Sequence, residues 1–199
     1  MFRRNEDKFF SEADGLGISV LEILPENLPY KGIVQLVHGM SEHKERYIPF
    51  MEYLAGQGYV TVIHDHRGHG KSVLAAEDLG YMYGGGADAF VRDIETVNKN
   101  IHVKYPDIPL ILFGHSMGSL AVRAFAAQND DLIDMLIVCG SPSNNPARPI
   151  GTLIAKAEKM FLGERHRSEL LKWVSFGSYA MKFKEEKNPY AWICSDSEV

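Results

Sequence analysis

Residues 110–118 read Leu-Ile-Leu-Phe-Gly-His-Ser-Met-Gly, an apolar run that ends on two glycines framing a serine and passes directly into a helical pattern. A short continuous apolar run bounded by turn residues is a buried strand, and a helix that follows without a loop must fold back onto the sheet. The same alternation recurs upstream. Residues 18–24 alternate faces as a first or second strand, and 32–38, 59–64, 109–114 and 133–138 read as further strands. Between them, 46–57, 88–104 and 116–128 carry helical spacing. This order specifies an α/β fold, a mostly parallel sheet covered by helices.

From residue 143 the strand signals cease. Pro146 and Pro149 introduce a segment whose apolar residues Leu153, Ile154, Ala157, Met160 and Phe161 recur at helical spacing, and Leu170, Leu171 and Val174 form a second stripe. The expected organisation is a core over 1–142 and a helical segment over 143–199. Two ordinary amphipathic helices packed on the core, or a lid over an apolar acyl pocket, both account for that segment.

Composition narrows the function classes. A net charge of −5 offers no basic field to hold phosphate backbones, which argues against a nucleic-acid partner. Cys139 and Cys194 are too few for a disulfide framework and fit a reducing compartment. No stretch reaches the roughly 18 apolar residues of a membrane span, and residues 1–10 lack the apolar segment of a signal peptide. The expected location is cytoplasmic.

Ser116 is the candidate nucleophile. In Gly-x-Ser-x-Gly between a strand and a helix, a serine occupies a tight turn, and side chains at Gly114 and Gly118 would collide with neighbouring backbone. The alternative is a structural turn with an incidental serine. Attack on an ester creates an oxyanion that needs preorganised donors. The N–H of Met117, at a helix N-terminus, can supply one. Gly39 lets the chain turn sharply after the strand 32–38 and frees the N–H of Met40 to supply the other.

Two further stretches have competing readings. His64, His66 and His69 form H-x-H-x-x-H at a strand end, a spacing that can gather imidazoles around zinc. Arg67 puts a permanent charge among them, and Gly68 stands where an acid is usual, so a loop braced by Asp65 and Arg67 is the other reading. Gly84-Gly85-Gly86 lacks the Lys-Ser or Lys-Thr of a phosphate cradle and reads as a loop before a helix capped near Asp88. The site as read requires neither metal nor cofactor.

The segments HGMSEHKERY (38–47), DHRGHGKS (65–72) and GHSMGS (114–119) together resemble the α/β-hydrolase superfamily, and within it the monoacylglycerol lipase and lysophospholipase branch. The resemblance runs from Phe9 to the C-terminus. It implies a sheet of about eight strands, a helical cap after the strand 133–138, and hydrolysis of a glycerol or lysophospholipid ester through an acyl-serine intermediate. It makes Ser116 the nucleophile and Met40 and Met117 the oxyanion hole. Ser119 stands where many relatives carry glycine.

The resemblance also implies an acid and a histidine after Ser116, beyond the cap. Residues 139–145 contain no carboxylate, Asp196 has no strand before it, and His166 lies in the cap-like segment. His115 is expected to point away from Ser116, and His38 to brace its loop. The expectation is a sheet incomplete at its C-terminal edge, the first two-thirds of a longer serine hydrolase, and near inactivity of these 199 residues alone. Losing a nucleophile–base unit costs about 10^6 in rate. The strand 133–138 is then an apolar edge that invites association. The expected ligand is an acyl ester with an apolar chain, with peripheral contact to lipid surfaces; a catalytically silent α/β-hydrolase-like binding protein is the alternative.

Overall fold

A computed structural model describes residues 2–143, 148–171 and 173. The chain divides into two compact units, Met1–Ser143 and Asn144–Val199.

The first unit is built on a six-stranded sheet. Its strands are β1 (Phe2–Phe10), β2 (Gly17–Pro25), β3 (Gly32–Val37), β4 (Tyr59–His64), β5 (Leu110–His115) and β6 (Met135–Cys139), in the spatial order β1-β2-β4-β3-β5-β6. β1 runs antiparallel to β2 and β2 antiparallel to β4, whereas β4, β3, β5 and β6 are mutually parallel. The chain crosses between the parallel strands through α1 (Ile48–Gly56), α2 (Gly86–Lys104) and α3 (Met117–Ala126).

Helices cover both faces, so the central strands must be apolar on both. β3 is buried at every position. Its one polar side chain, Gln35, donates to the Ile94 carbonyl at 3.0 Å and accepts from Asn98 at 2.9 Å, which satisfies an amide that burial would otherwise penalise. On one face Phe90, Ile94, Val97 and Ile101 of α2, with Val122 and Phe125 of α3, pack on Ile33, Val37, Val60, Val62, Leu110 and Leu112. On the other, Met51 and Ala55 of α1 close over Leu21, Ile23, Val34, Leu36 and Ile63. Burying each such large side chain contributes roughly 1.5–3 kcal/mol.

Several elements differ from the sequence reading. β1 was not anticipated, because Arg3-Arg4-Asn5-Glu6-Asp7-Lys8 shows no apolar alternation; it exists through a nine-residue register with β2, from Phe2 opposite Pro25 to Phe10 opposite Gly17. Its charges suit an edge strand, where they oppose pairing with another chain. Helix 46–57 resolves into a 3-10 turn over Lys44–Tyr47 followed by α1. α2 begins at Gly86, after Gly85 at φ 77°; Asp88 lies inside its first turn and makes no cap. The sheet holds six strands among the described residues. β6 is its edge on the α3 side, with Met135, Leu136, Ile137 and Val138 all exposed.

In the second unit, α4 (Arg148–Leu162) carries the first stripe, and Ile150, Leu153, Met160 and Phe161 are exposed. Val174, Cys194 and Asp196 lie outside the described residues. Among the described residues no helix is long and apolar enough to cross a membrane.

Candidate active site

α3 starts two residues after β5 ends, so the chain reverses on Ser116 alone. Its backbone takes φ 52° and ψ −118°, a region that disfavours side chains, and holding it there costs on the order of 1–3 kcal/mol. Neighbours pin this conformation at both ends. The Ser116 N–H donates to the Cys139 carbonyl at 2.9 Å. Its own carbonyl accepts from the Ser119 N–H at 3.0 Å and from the Ser119 hydroxyl at 2.5 Å. Ser119, fully buried, is thus a second anchor of the turn, which its place outside the Gly-x-Ser-x-Gly pattern concealed.

The two framing glycines answer to contacts. A Cβ on Gly118 would stand 2.2 Å from the Val37 carbonyl oxygen and 2.5 Å from that of His38, so α3 lies directly on the end of β3. A Cβ on Gly114 would meet Val122 at 2.5 Å and the Gly118 carbonyl oxygen at 2.7 Å. These close approaches bring the loop after β3 against the elbow. A Cβ on Gly39 would lie 3.2 Å from the Ser116 Cβ.

The loop after β3 is gripped from both sides. His38, fully buried, donates through Nδ1 to the Gly39 carbonyl at 2.7 Å. The His66 N–H occupies His38 Nε2 at 3.1 Å, which fixes this tautomer. Glu42 Oε2 accepts from the Gly39 N–H at 2.7 Å and from the Tyr47 hydroxyl at 2.9 Å. Burial raises the Glu42 carboxyl pKa, but the Gly39 N–H, Tyr47 and His115 outweigh it and hold the group below the usual range. Met40, in the turn that follows, is half exposed. Met117 opens α3, so its N–H has no acceptor within the helix.

His115 turns its Nδ1 to Glu42 Oε2 at 3.3 Å, and a Cβ on Gly140 would lie 3.5 Å from its Nε2. Glu42 itself was not singled out from the sequence. The one available signal was an acid three residues beyond Gly39, close enough for its carboxylate to close the loop on a backbone N–H.

The His64–His69 stretch is held together from within. The His66 Nε2–H donates to the His38 carbonyl at 2.9 Å, leaving Nδ1 to accept from His64 Nε2 at 3.2 Å. His69 donates through Nδ1 to the Arg67 carbonyl at 3.1 Å. Burial pushes His38 down to about 3 and His64 to about 4, and depresses His66 and His69 as well, so the four rings are neutral. Asp65 binds the Lys44 ammonium and the N–H groups of Lys44 and Lys71. Arg67 binds Asp93, Asp14 and Ser11. Among the described residues no three His, Cys, Asp or Glu side chains stand where they could share a metal ion. The Gly84 carbonyl is taken up by Arg67 at 2.8 Å.

A mixed sheet with parallel central strands, helices on both faces and a strained serine between β5 and α3 defines an α/β hydrolase. The family model of serine aminopeptidase S33 matches residues 29–199, and the chain belongs to this family. It is 32% identical over 128 residues to a monoglyceride lipase homolog of monkeypox virus, covering 63% of this chain and 44% of that protein. It is 34% identical over 119 residues to mouse monoglyceride lipase, covering 58% of this chain and 36% of the relative. Among solved structures it is similar to a thermostable carboxyl esterase from Bacillus coagulans in complex with glycerol. That match has a TM-score of 0.83 and 29% identity, over 98% of this chain and 63% of that one. The chain thus spans about half or less of the length of these two curated relatives.

Proposed function

We propose that this chain carries the nucleophile half of a serine-dependent carboxylic ester hydrolase of the monoacylglycerol lipase or lysophospholipase type. The observation that carries the reading is Ser116 at φ 52°, held at the N-terminus of α3 with Gly39 packed against it. The similarity to monoglyceride lipases supports the substrate class.

In this reading the Ser116 hydroxyl oxygen attacks the ester carbonyl carbon while a histidine takes its proton. The N–H groups of Met40 and Met117 receive the oxyanion, each donor being worth about 3–4 kcal/mol. Collapse expels the alcohol, which takes the proton from the histidine, and water then releases the acyl group from Ser116. Gly39, Gly114 and Gly118 permit the close packing. The ligand in this reading is an acyl ester with an apolar chain, with peripheral contact to lipid surfaces.

Every histidine of the Met1–Ser143 unit turns its ring to a partner other than Ser116, His43 to Glu45 and His102 to the Leu132 carbonyl among them. None of these hydrogen bonds joins an imidazole to the Ser116 hydroxyl, so no base is assigned within that unit. The same observation favours the second reading, a silent α/β-hydrolase-like protein that binds apolar ligands.

Intact-mass measurement after treatment with an alkyl fluorophosphonate separates the two. One adduct, abolished by Ser116→Ala, together with release of fatty acid from a long-chain monoacylglycerol, is the expected result for the hydrolase. Absence of any adduct on the folded full-length protein overturns it in favour of the silent relative.

A further inference from the structure

The arrangement around Gly39 assigns a role to a residue outside the nucleophile and its donors. Gly39 lies between two peptide groups, and a side chain holds each one. Glu42 takes the N–H of the peptide that enters Gly39, at 2.7 Å. His38 takes the carbonyl of the peptide that leaves it, also at 2.7 Å. In a trans peptide the N–H points opposite its carbonyl, so the Met40 N–H is directed away from His38. A glycine explores more backbone conformations than any other residue, and a donor attached to it is preorganised only while both neighbouring peptides are held.

Glu42 does more than close a turn. Its Oε2 gathers three donors, from Gly39, from Tyr47 at the start of α1, and from His115, the residue before Ser116. Its Oε1 lies 3.3 Å from Arg46, and its side chain is 9% exposed. One nearly buried carboxylate therefore ties the loop bearing Met40 to the strand end that presents Ser116 and Met117. The two halves of the oxyanion site are registered through it.

We propose that Glu42 is a positioning residue for ester hydrolysis: by holding the Gly39 peptide and the His115 ring on one carboxylate, it fixes the Met40 N–H relative to Ser116. This rests on the hydrolase reading of Ser116. An interaction that shapes only the oxyanion site acts on the transition state, so its loss falls on kcat and leaves KM nearly unchanged.

The test compares Glu42→Ala, Glu42→Gln and Tyr47→Phe in the full-length protein, with p-nitrophenyl butyrate turnover and the rate of fluorophosphonate labelling as readouts. Glu42→Ala frees the Gly39 peptide and is expected to lower kcat about 10^2-fold, the scale of one lost oxyanion donor, with KM within about twofold. Affinity for a trifluoromethyl ketone, which forms a hemiketal on the serine, should fall in proportion to kcat/KM. Glu42→Gln keeps an oxygen that can accept from Gly39 and Tyr47 and should recover to within about tenfold of wild type. Tyr47→Phe removes one anchor of the carboxylate and should lower kcat several-fold.

If Glu42→Ala does not fold, Glu42→Gln and Tyr47→Phe decide the matter through the same kcat and KM split. A Glu42→Ala enzyme with wild-type kcat overturns the proposal, as does a loss confined to KM or a Glu42→Gln variant no better than Glu42→Ala. Failure of the hydrolase reading looks different. The wild-type protein would then take up no fluorophosphonate at Ser116, and the positioning role would fall with it.

Discussion

Lys44 and Asp65 meet at 2.7 Å with both side chains wholly removed from solvent. The pair joins the loop that carries Met40 to the loop after β4, because Asp65 also accepts from the N–H groups of Lys44 and Lys71. Without Lys44 the buried Asp65 carboxylate keeps only backbone donors, and without Asp65 the buried Lys44 ammonium keeps only the partly exposed Glu45, at 3.0 Å. Lys44→Met is expected to lower the unfolding free energy by about 3–5 kcal/mol. Asp65→Ala should cost at least as much, since it also orphans two backbone donors. Urea unfolding of both variants measures this, and a loss below about 1 kcal/mol for Lys44→Met would show that the pair is not what holds the two loops.

Ser116 stores strain that glycine would release. Ser116→Gly should gain about 1 kcal/mol in stability, the relief of the φ 52° conformation less the greater entropy glycine loses on folding. Ser116→Ala retains a Cβ and should match wild type. Both variants should take up no fluorophosphonate. Thermal unfolding midpoints compare them directly, and a glycine variant no more stable than the alanine variant would refute the stored strain.

The parts of this arrangement that were legible in the sequence are those written in short-range pattern. Residues 59–64 form β4 as read, and the helix after Ser116 begins where the motif places it, because runs of Val, Ile and Leu between turn residues leave few alternatives. β1 was illegible for the converse reason: its residues are charged, and only the backbone of β2 makes them a strand. The candidate site divides in the same way. Ser116, Gly114 and Gly118 follow from local sterics. Glu42 and Ser119 hold that geometry through partners on other elements or in the next turn, and a carboxylate three residues past a glycine has no local mark of having such partners.

Gly118→Ala and Gly151→Ala are the same chemical change in two helices with opposite expected signs. In α4, a Cβ on Gly151 meets nothing within 4 Å, so alanine should stabilise that helix by about 0.5–1 kcal/mol. In α3, the Cβ on Gly118 would overlap the Val37 and His38 carbonyl oxygens, which cannot yield without moving β3 from the elbow. A loss of about 1–3 kcal/mol or more is expected, together with loss of serine labelling. Denaturant unfolding of the two variants tests the sign, and stabilisation by Gly118→Ala would contradict the packing of α3 on β3.

The buried histidines set the acid limit of the fold. In the unfolded chain an imidazole protonates near 6.5, whereas burial holds His38 at about 3 and His64 at about 4 in the native state. As pH falls below 6.5 the unfolded chain takes up protons that the native protein refuses, so stability is full above that value and declines as pH drops toward the native values. Each of these rings contributes a slope of roughly 1 kcal/mol per pH unit, and His66 adds to it. The depressed carboxylates act lower: Glu45, held at about 2 against an ordinary 4.5, loses its contribution only below about 4.5. The interval between 6.5 and 4.5 therefore belongs to the histidines. Urea unfolding measured from pH 8 to pH 4.5 should show a plateau and then a steep decline beginning near 6.5, and the imidazole NMR signals of His38 and His64 should stay in their neutral positions at pH 5.5. A flat stability profile across that interval, or rings that titrate near 6.5, would mean that the cluster is open to solvent and that the loop it supports is not fixed as described.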